Sequence, residues 1–173
     1  MILGQRAHLE LKIDYEEWLP SEFDDINRML HRWGLANEPQ EVGWVLAADA
    51  DRRIRCLLEV ARGTHRSLEV HIPSMLAGIL TTGADRWAFI HNHPSGDPTP
   101  SGADLAMMEH FREISALCGI YLEDGIIVTT DVERSHSMLI SGDYTPKVYG
   151  EGDSDEPDVL VNARLEGQIS VHP

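Results

Sequence analysis

One short segment of the chain brings together side chains that often bind a transition metal. Residues 91–104 read HNHPSGDPTPSGAD. His91 and His93 end an apolar run that is typical of a buried strand, and the two-residue period of a strand puts both imidazoles on one side of a sheet. Prolines stiffen the seven residues that follow, and Ser101 then begins a predicted helix with Asp104 in its first turn. The spacing therefore predicts that Asp104 faces the two histidines at the C-terminal edge of the sheet.

Two imidazole nitrogens and one carboxylate oxygen form a donor set that suits Zn²⁺. Three protein ligands leave the fourth position to water, which is typical of catalytic rather than structural zinc sites. Zinc lowers the pKa of such a water towards about 7 and polarises a carbonyl group. Taken alone, Ser101 and Asp104 also fit a helix capping box, and a single histidine at a strand end is more often an ordinary polar residue. The combination of all these features favours one zinc ion per chain.

The elements that must position these residues follow from the apolar pattern. Ser21 is the predicted N-cap of a first helix that ends at Gly34. Two further helices are predicted, one opening at Pro73 and one running from Ser101 to Cys118. The predicted strands cover 42–48, 54–60, the alternation of Leu68, Val70 and Ile72, residues 87–90, and short closing strands at 120–122, 126–130 and 137–140. This order predicts an α/β domain with a mixed sheet and helices on both faces.

The chain divides by composition into three parts. Residues 1–40 form an N-terminal extension with a predicted strand at residues 8–13 and the first helix, residues 41–140 form the α/β domain, and residues 141–173 form an acidic, flexible tail. Both cysteines, Cys56 and Cys118, stand where a small apolar residue would serve, so buried free thiols are predicted. The N-terminus lacks a basic head followed by an apolar stretch, and no run reaches the roughly 18 apolar residues of a membrane helix. We expect a cytoplasmic protein without a membrane segment.

The chain is strongly acidic. Its 29 Asp and Glu residues against 14 Lys and Arg residues give a formal net charge of −15, and the excess is spread over the whole chain. Such a charge repels phosphate backbones, so nucleic acid is disfavoured as a partner. The candidates for a local basic patch are five arginines, of which two are better explained as the solvent-facing side of a strand: Arg52, Arg53, Arg55, Arg62 and Arg66.

The metal-binding segment resembles the JAMM motif, H-x-H-x7-S-x2-D, in the form used by RadC-like JAB (MPN) domains. The resemblance continues in residues 40–54, in Arg62-Gly63-Thr64 and in residues 124–128, so it covers about residues 40–140. The chain also departs from the pattern. Gly125 stands where the family has a histidine, the stretch from Leu105 to Met108 is apolar where a threonine is expected, and no helix-hairpin-helix pattern precedes the domain.

The resemblance implies the α/β/α sandwich that JAB domains share with cytidine deaminases. It implies that His91, His93 and Asp104 are the zinc ligands and that Ser101 stabilises the oxyanion of a tetrahedral intermediate. The general base of the family, a glutamate on the first core strand, corresponds to Glu41. Glu59 and Glu69 are the competitors for that role, on faces predicted to point outwards.

The function implied is that of a zinc metallopeptidase acting on a peptide or isopeptide bond. An isopeptidase that releases a ubiquitin-like protein from its conjugates is the favoured subclass, and the acidic surface fits a protein substrate. The alternatives are a RadC-like protein of DNA repair or DNA metabolism without peptidase activity, and a catalytically inactive scaffold. A nucleotide deaminase is excluded because the H-x-E and P-C-x-x-C ligands of that class are absent. The sequence leaves the oligomeric state open.

Overall fold

The computed structural model describes residues 18–63 and 68–146. Their centre is a single five-stranded sheet with the spatial order β2-β1-β3-β4-β5. The β3 and β4 strands run parallel, and the other neighbours are antiparallel, so the predicted mixed sheet is confirmed. The strands are β1 (Val42–Ala48), β2 (Ile54–Arg62), β3 (Arg86–Asn92), β4 (Tyr121–Val128) and β5 (His136–Ser137).

Helices cover both faces of this sheet. The helices are α1 (Phe23–Arg32), α2 (Ile72–Thr81), α3 (Gly102–Cys118) and the short α4 (Met138–Ser141), with a 3-10 turn at Leu35–Asn37. The α2 and α3 helices bury an apolar side against one face, with Met75, Ile79, Met108 and Phe111 around Phe89. The α1 helix buries Met29 and Leu30 against the other face, beside Trp44. The arrangement is the predicted α/β/α sandwich.

Several local predictions were wrong at their boundaries. The α1 helix begins after Glu22, and no side chain caps it, so Ser21 is not its N-cap. Residues 68–71 are not a strand, and Ile72 already belongs to α2 because Pro73 favours the first turn of a helix. Where two short strands were predicted at 120–122 and 126–130, one unbroken strand, β4, runs over residues 121–128, and residues 138–141 form α4 after a two-residue strand.

Elements from either side of residues 41–140 pack against the sheet in the described region. The α1 helix lies on the sheet as one of its core layers, and Tyr144 is buried, with its hydroxyl donating to the carbonyl of Leu122 at 2.8 Å. The strand predicted at residues 8–13 and the tail beyond residue 146 lie outside the described residues. Cys56 is buried as predicted, whereas Cys118 is exposed at the end of α3. Among the described residues, none of the helices has the length and apolar character needed to cross a bilayer.

Candidate metal centre

The C-terminal end of β3 supplies two imidazoles to one point of the structure. His91 is buried in β3, with its ring centroid 5.6 Å from that of Phe89. His93 follows the strand, and its backbone N–H donates to the carbonyl of Val128 at 2.9 Å, which anchors it to the end of β4. As the two-residue period predicts, both rings lie on the same side, and their Nε2 atoms are 3.1 Å apart.

The loop after β3 fixes the orientation of the His93 ring. Its Nδ1 donates to the carbonyl of Asp97 at 2.7 Å, and this bond leaves Nε2 of the neutral ring as the unprotonated nitrogen. The turn is tight because Gly96, whose φ is +76°, donates its N–H to the carbonyl of His93. The carboxylate of Asp97 then accepts the N–H of Thr99 at 3.0 Å. The loop therefore presents Nε2 of His93 towards the cluster.

The first turn of α3 positions Asp104 through a capping box. The Ser101 hydroxyl accepts the N–H of Asp104 at 3.2 Å, and Oδ2 of Asp104 accepts the N–H of Ser101 at 2.7 Å. The same Oδ2 also accepts the Ser101 hydroxyl proton at 2.6 Å. The capping and ligand interpretations of this pair are therefore compatible, because the cap uses Oδ2 and leaves Oδ1 directed at His91.

The three side chains converge as a possible metal-binding set. Nε2 of His91 lies 3.3 Å from Oδ1 of Asp104, and Nε2 of His93 lies 3.7 Å from Oδ2. One ligand atom from each residue lies within 4.8 Å of the other two. The set is sheltered, since His91 is 1% exposed and the other two side chains are 12% and 14% exposed. Two imidazole nitrogens and a carboxylate oxygen are zinc donors. Nδ1 of His91 is buried without a partner, so no hydrogen bond at that nitrogen competes with the use of Nε2 in the cluster.

Within this cluster, the Asp104 carboxylate and the imidazoles each favour the charged form of the other. Burial alone would raise the pKa of Asp104, but the neighbouring imidazoles of His91 and His93 and the hydrogen bond from Ser101 outweigh burial and hold that pKa well below its usual range. Burial likewise opposes the charged form of His93, yet the neighbouring Asp104 carboxylate, the hydrogen bond to the Asp97 carbonyl and the charge of Glu41 together raise its pKa. Asp104 is therefore ionised at neutral pH, as a metal ligand must be.

Glu41 lies beside this cluster because of the register of two strands. In the antiparallel pair of β1 and β3, Gly43 is opposite His91. Extending this register by two residues past its last pair would put Glu41, which precedes β1, opposite His93, which follows β3, and directly opposite residues share a face of the sheet. Glu41 is half-buried, and its carbonyl accepts the N–H of Gly63 at 2.8 Å. The charge of Glu41 is also near enough to His93 to contribute to its raised pKa.

The competing glutamates lie elsewhere. Glu59 is opposite Trp44, on the face of the sheet that α1 covers, and Arg62 binds both of its carboxylate oxygens at 2.8 and 2.7 Å. Glu69 is exposed in the segment before α2. Neither is part of the cluster.

Sequence reasoning missed Asn92, which lies between the two histidines. It is completely buried and makes three hydrogen bonds to the segment that carries Glu41. The available signal was its position, because a polar amide at the end of an otherwise apolar strand needs buried partners.

A mixed sheet between two helical layers, with a histidine pair at a strand end facing an aspartate in the first turn of the next helix, defines a JAB-type domain. The chain belongs to the RadC-like JAB domain family, whose model matches residues 21–142 and thus more than half of the chain. The match includes α1, which the resemblance seen in the sequence did not cover.

Relatives in several bacteria share this domain. The chain is 35% identical over 101 residues to a UPF0758 protein of Rhodobacter capsulatus, covering 58% of this chain and 47% of the relative. It is 36% identical over 94 residues to a UPF0758 protein of Coprothermobacter proteolyticus, covering 54% and 40%. It is 34% identical to one of Syntrophotalea carbinolica, covering 54% and 41%. The chain thus spans less than half the length of these relatives.

Proposed function

We propose that this chain is a zinc-dependent hydrolase that cleaves a peptide or isopeptide bond in a protein substrate. The observation that carries the proposal is the convergence of His91, His93 and Asp104 within 4.8 Å, with Glu41 immediately before β1 and its charge acting on His93. Three protein donors and one adjacent carboxylate are the parts that metal-assisted amide hydrolysis needs.

His91, His93 and Asp104 would hold the zinc ion. When bound, zinc supplies Lewis acidity, which acidifies water and polarises a carbonyl group. The protein prepares the donors for this role: in the neutral ring the Asp97 carbonyl selects the tautomer with an unprotonated Nε2 of His93, and the capping box holds the Asp104 carboxylate in place. Because the site lies at a strand end and a helix N-terminus, its geometry is set before a substrate arrives.

Glu41 is the proposed general base, and it would later pass the proton to the leaving amine. Glu41 is half-buried, and its charge contributes to the raised pKa of His93. Ser101 is the proposed donor to the oxyanion. Its hydroxyl proton is directed at Oδ2 of Asp104 in the free protein, so this role requires the hydroxyl to rotate towards the substrate.

The charges of the described arginines support a protein substrate over a nucleic acid. Arg62 is paired with Glu38 and Glu59, Arg55 with Asp49, and Arg52 lies 3.7 Å from Glu123. Arg53 stacks over Trp18 instead. Arg66, the fifth member of the candidate patch, lies outside the described residues. A patch whose charges are mostly neutralised offers little to a phosphate backbone.

Conjugates of a ubiquitin-like protein are the substrate subclass that we propose, on the basis of the resemblance to JAB-type isopeptidases. Neighbouring genes for activating, conjugating and ubiquitin-like proteins would support this subclass. A matched pair of fluorogenic substrates, one with an isopeptide bond and one with a linear peptide bond, distinguishes the two bond types directly.

Zinc binding is the first test. We expect the purified protein to retain about one zinc ion per chain by elemental analysis, and Asp104→Asn to lower the zinc affinity by at least about tenfold, because it replaces a charged ligand with a neutral amide. Glu69→Gln removes an exposed carboxylate outside the cluster and is the matched control. Protein that holds no zinc after gentle purification would exclude a zinc enzyme.

The general base is tested separately from the metal. Glu41→Gln should keep the zinc and lower kcat by about 100-fold or more, since the amide cannot accept the proton. Turnover is measured on whichever substrate of the matched pair the wild type cleaves, with Glu69→Gln again as control. Full turnover by Glu41→Gln would show that another group is the base.

A further inference from the structure

Asn92 links the candidate metal centre to the segment that carries Glu41. Its side chain is completely buried and lies between the two histidines in sequence. Each of its polar atoms has a partner in the chain segment before β1 or at its first residue. Oδ1 accepts the N–H of Val42 at 2.8 Å, and Nδ2 donates to the carbonyls of Glu38 and Gln40, each at 3.0 Å.

These bonds hold the backbone on both sides of Glu41. The carbonyl of Gln40 and the N–H of Val42 belong to the two peptide groups that flank Glu41, and both are bound by the one amide of Asn92. The carbonyl of Glu41 itself is held by the N–H of Gly63. The side chain of Asn92 therefore continues the contact between β1 and β3 beyond the last paired residues, Gly43 and His91.

We propose that Asn92 is a positioning residue that sets the Glu41 carboxylate against the cluster of His91, His93 and Asp104. This proposal rests on the proposed function. Because Asn92 is part of the same strand end as the two histidines, one rigid unit fixes both the metal ligands and the backbone of the base. The geometric reason is that Glu41 precedes β1, where the backbone ladder alone no longer holds it.

The test compares Asn92→Asp and Asn92→Ala with the wild type. Asn92→Asp keeps an oxygen that accepts the N–H of Val42, but it replaces the donating amide nitrogen with an oxygen that faces the carbonyls of Glu38 and Gln40. Asn92→Ala removes all three hydrogen bonds. Ser115→Ala is the matched control, because Ser115 is a buried polar residue whose hydroxyl accepts the indole N–H of Trp87 far from Glu41. Whichever Asn92 variant folds, judged by its unfolding transition, decides the proposal.

We expect kcat to fall by about 100-fold with KM and zinc content unchanged, because a displacement of about 1 Å in a reacting group costs that much. Amide hydrogen exchange of residues 38–42 should become faster in zinc-loaded Asn92 variants and stay unchanged in Ser115→Ala. The variant that combines Glu41→Gln with the Asn92 substitution should have the residual turnover of Glu41→Gln alone, since Asn92 acts through Glu41.

Three results would overturn the proposal: unchanged kcat, unchanged exchange of residues 38–42, or losses that multiply in the combined variant. Failure of the proposed function has a different signature. A wild type that cleaves neither substrate removes the hydrolase, while the exchange of residues 38–42 still decides whether Asn92 holds the segment that carries Glu41.

Discussion

The two oxygens of Asp104 have different partners, and this division lets one side chain serve both the fold and the site. Oδ2 accepts from the backbone and hydroxyl of Ser101, and Oδ1 faces His91. An aspartate that only capped the helix would need no imidazole beside it. An aspartate side chain that no cap restrained would lose conformational entropy on binding the ion. The cap thus preorganises the carboxylate for the metal binding that we propose.

Gly43 is a second residue whose size matters to the site. It is opposite His91, and a Cβ added there would lie 2.8 Å from Leu68 and 3.0 Å from the ring of Phe89. That ring cannot yield easily, because it is buried and packs edge-on against Phe111 with their centroids 5.1 Å apart. We therefore expect Gly43→Ala to lower the free energy of unfolding by about 1–3 kcal/mol through overpacking.

Urea denaturation measures this loss, and Gly102→Ala is the control. Gly102 is the first residue of α3, and a Cβ there would meet no atom within 4 Å. Its replacement should leave stability unchanged or raise it by up to about 1 kcal/mol, because alanine has less freedom in the unfolded chain. Equal effects of the two substitutions would contradict the packing argument.

At the scale of the elements, Asp124 joins β4 to the chain segment that closes the fold. It is buried in the strand, and its carboxylate accepts the hydroxyl of Ser137 and, at 2.9 Å, the N–H of Leu139. Burial nevertheless prevails and raises the pKa of Asp124 above its ordinary value of 3.8. The protonated form is therefore favoured in the folded protein relative to the unfolded chain.

The raised pKa of Asp124 predicts a pH dependence of stability with a definite sign. Below the unfolded pKa, both states bind the proton and the contribution of Asp124 is fully present. As the pH rises, the unfolded chain releases its proton first, and stability falls until the pH has passed the folded pKa. The total loss is about 1.4 kcal/mol for every tenfold difference between the two acid dissociation constants. The difference in unfolding free energy between the wild type and Asp124→Asn should therefore decrease from about pH 4 upwards and then level off.

Urea titrations of both proteins at a series of pH values provide the measurement, because titrating groups that do not interact with Asp124 cancel in the difference. Asp49→Asn is a suitable control, since Asp49 has a lowered pKa that arises mainly from its hydrogen bond with the backbone of Arg53. Its own difference should have the opposite slope, rising with pH. A difference for Asp124→Asn that stays constant or increases would refute the assignment.

The elements that local rules govern were predictable from the sequence. The α3 helix, its capping box and the histidine pair follow from short-range spacing, and the structure has them in place. The continuity of β4 was not predictable, because Glu-Asp-Gly resembles a turn and only distant contacts bury it. A Cβ at Gly125 would lie 2.7 Å from the sulfur of Met108, so the apolar α3 residue fills the space over the glycine. Asn92 was missed for the same reason: Val42 lies 50 positions away.

The whole molecule combines a sheltered, locally charged site with an acidic exterior. The formal net charge is −15, and the described arginines are largely paired with carboxylates. Because charges beyond a Debye length of about 8 Å are screened at physiological salt, the local neighbourhood of a surface decides which partner it binds. For the RadC-like alternative in DNA metabolism, such a neighbourhood would have to be basic.

We therefore expect no saturable binding of a short DNA duplex below about 100 µM protein at physiological salt, measured by fluorescence anisotropy with the zinc-loaded protein. The physical reason is that too few unpaired cations are available to release counterions from the duplex. Any weak binding at low salt should be the same in a variant carrying Arg52→Ala, Arg53→Ala and Arg55→Ala, because those side chains already have protein partners. Tight binding that falls steeply with salt and disappears in this variant would instead identify the arginines as a nucleic-acid surface and favour the role in DNA metabolism.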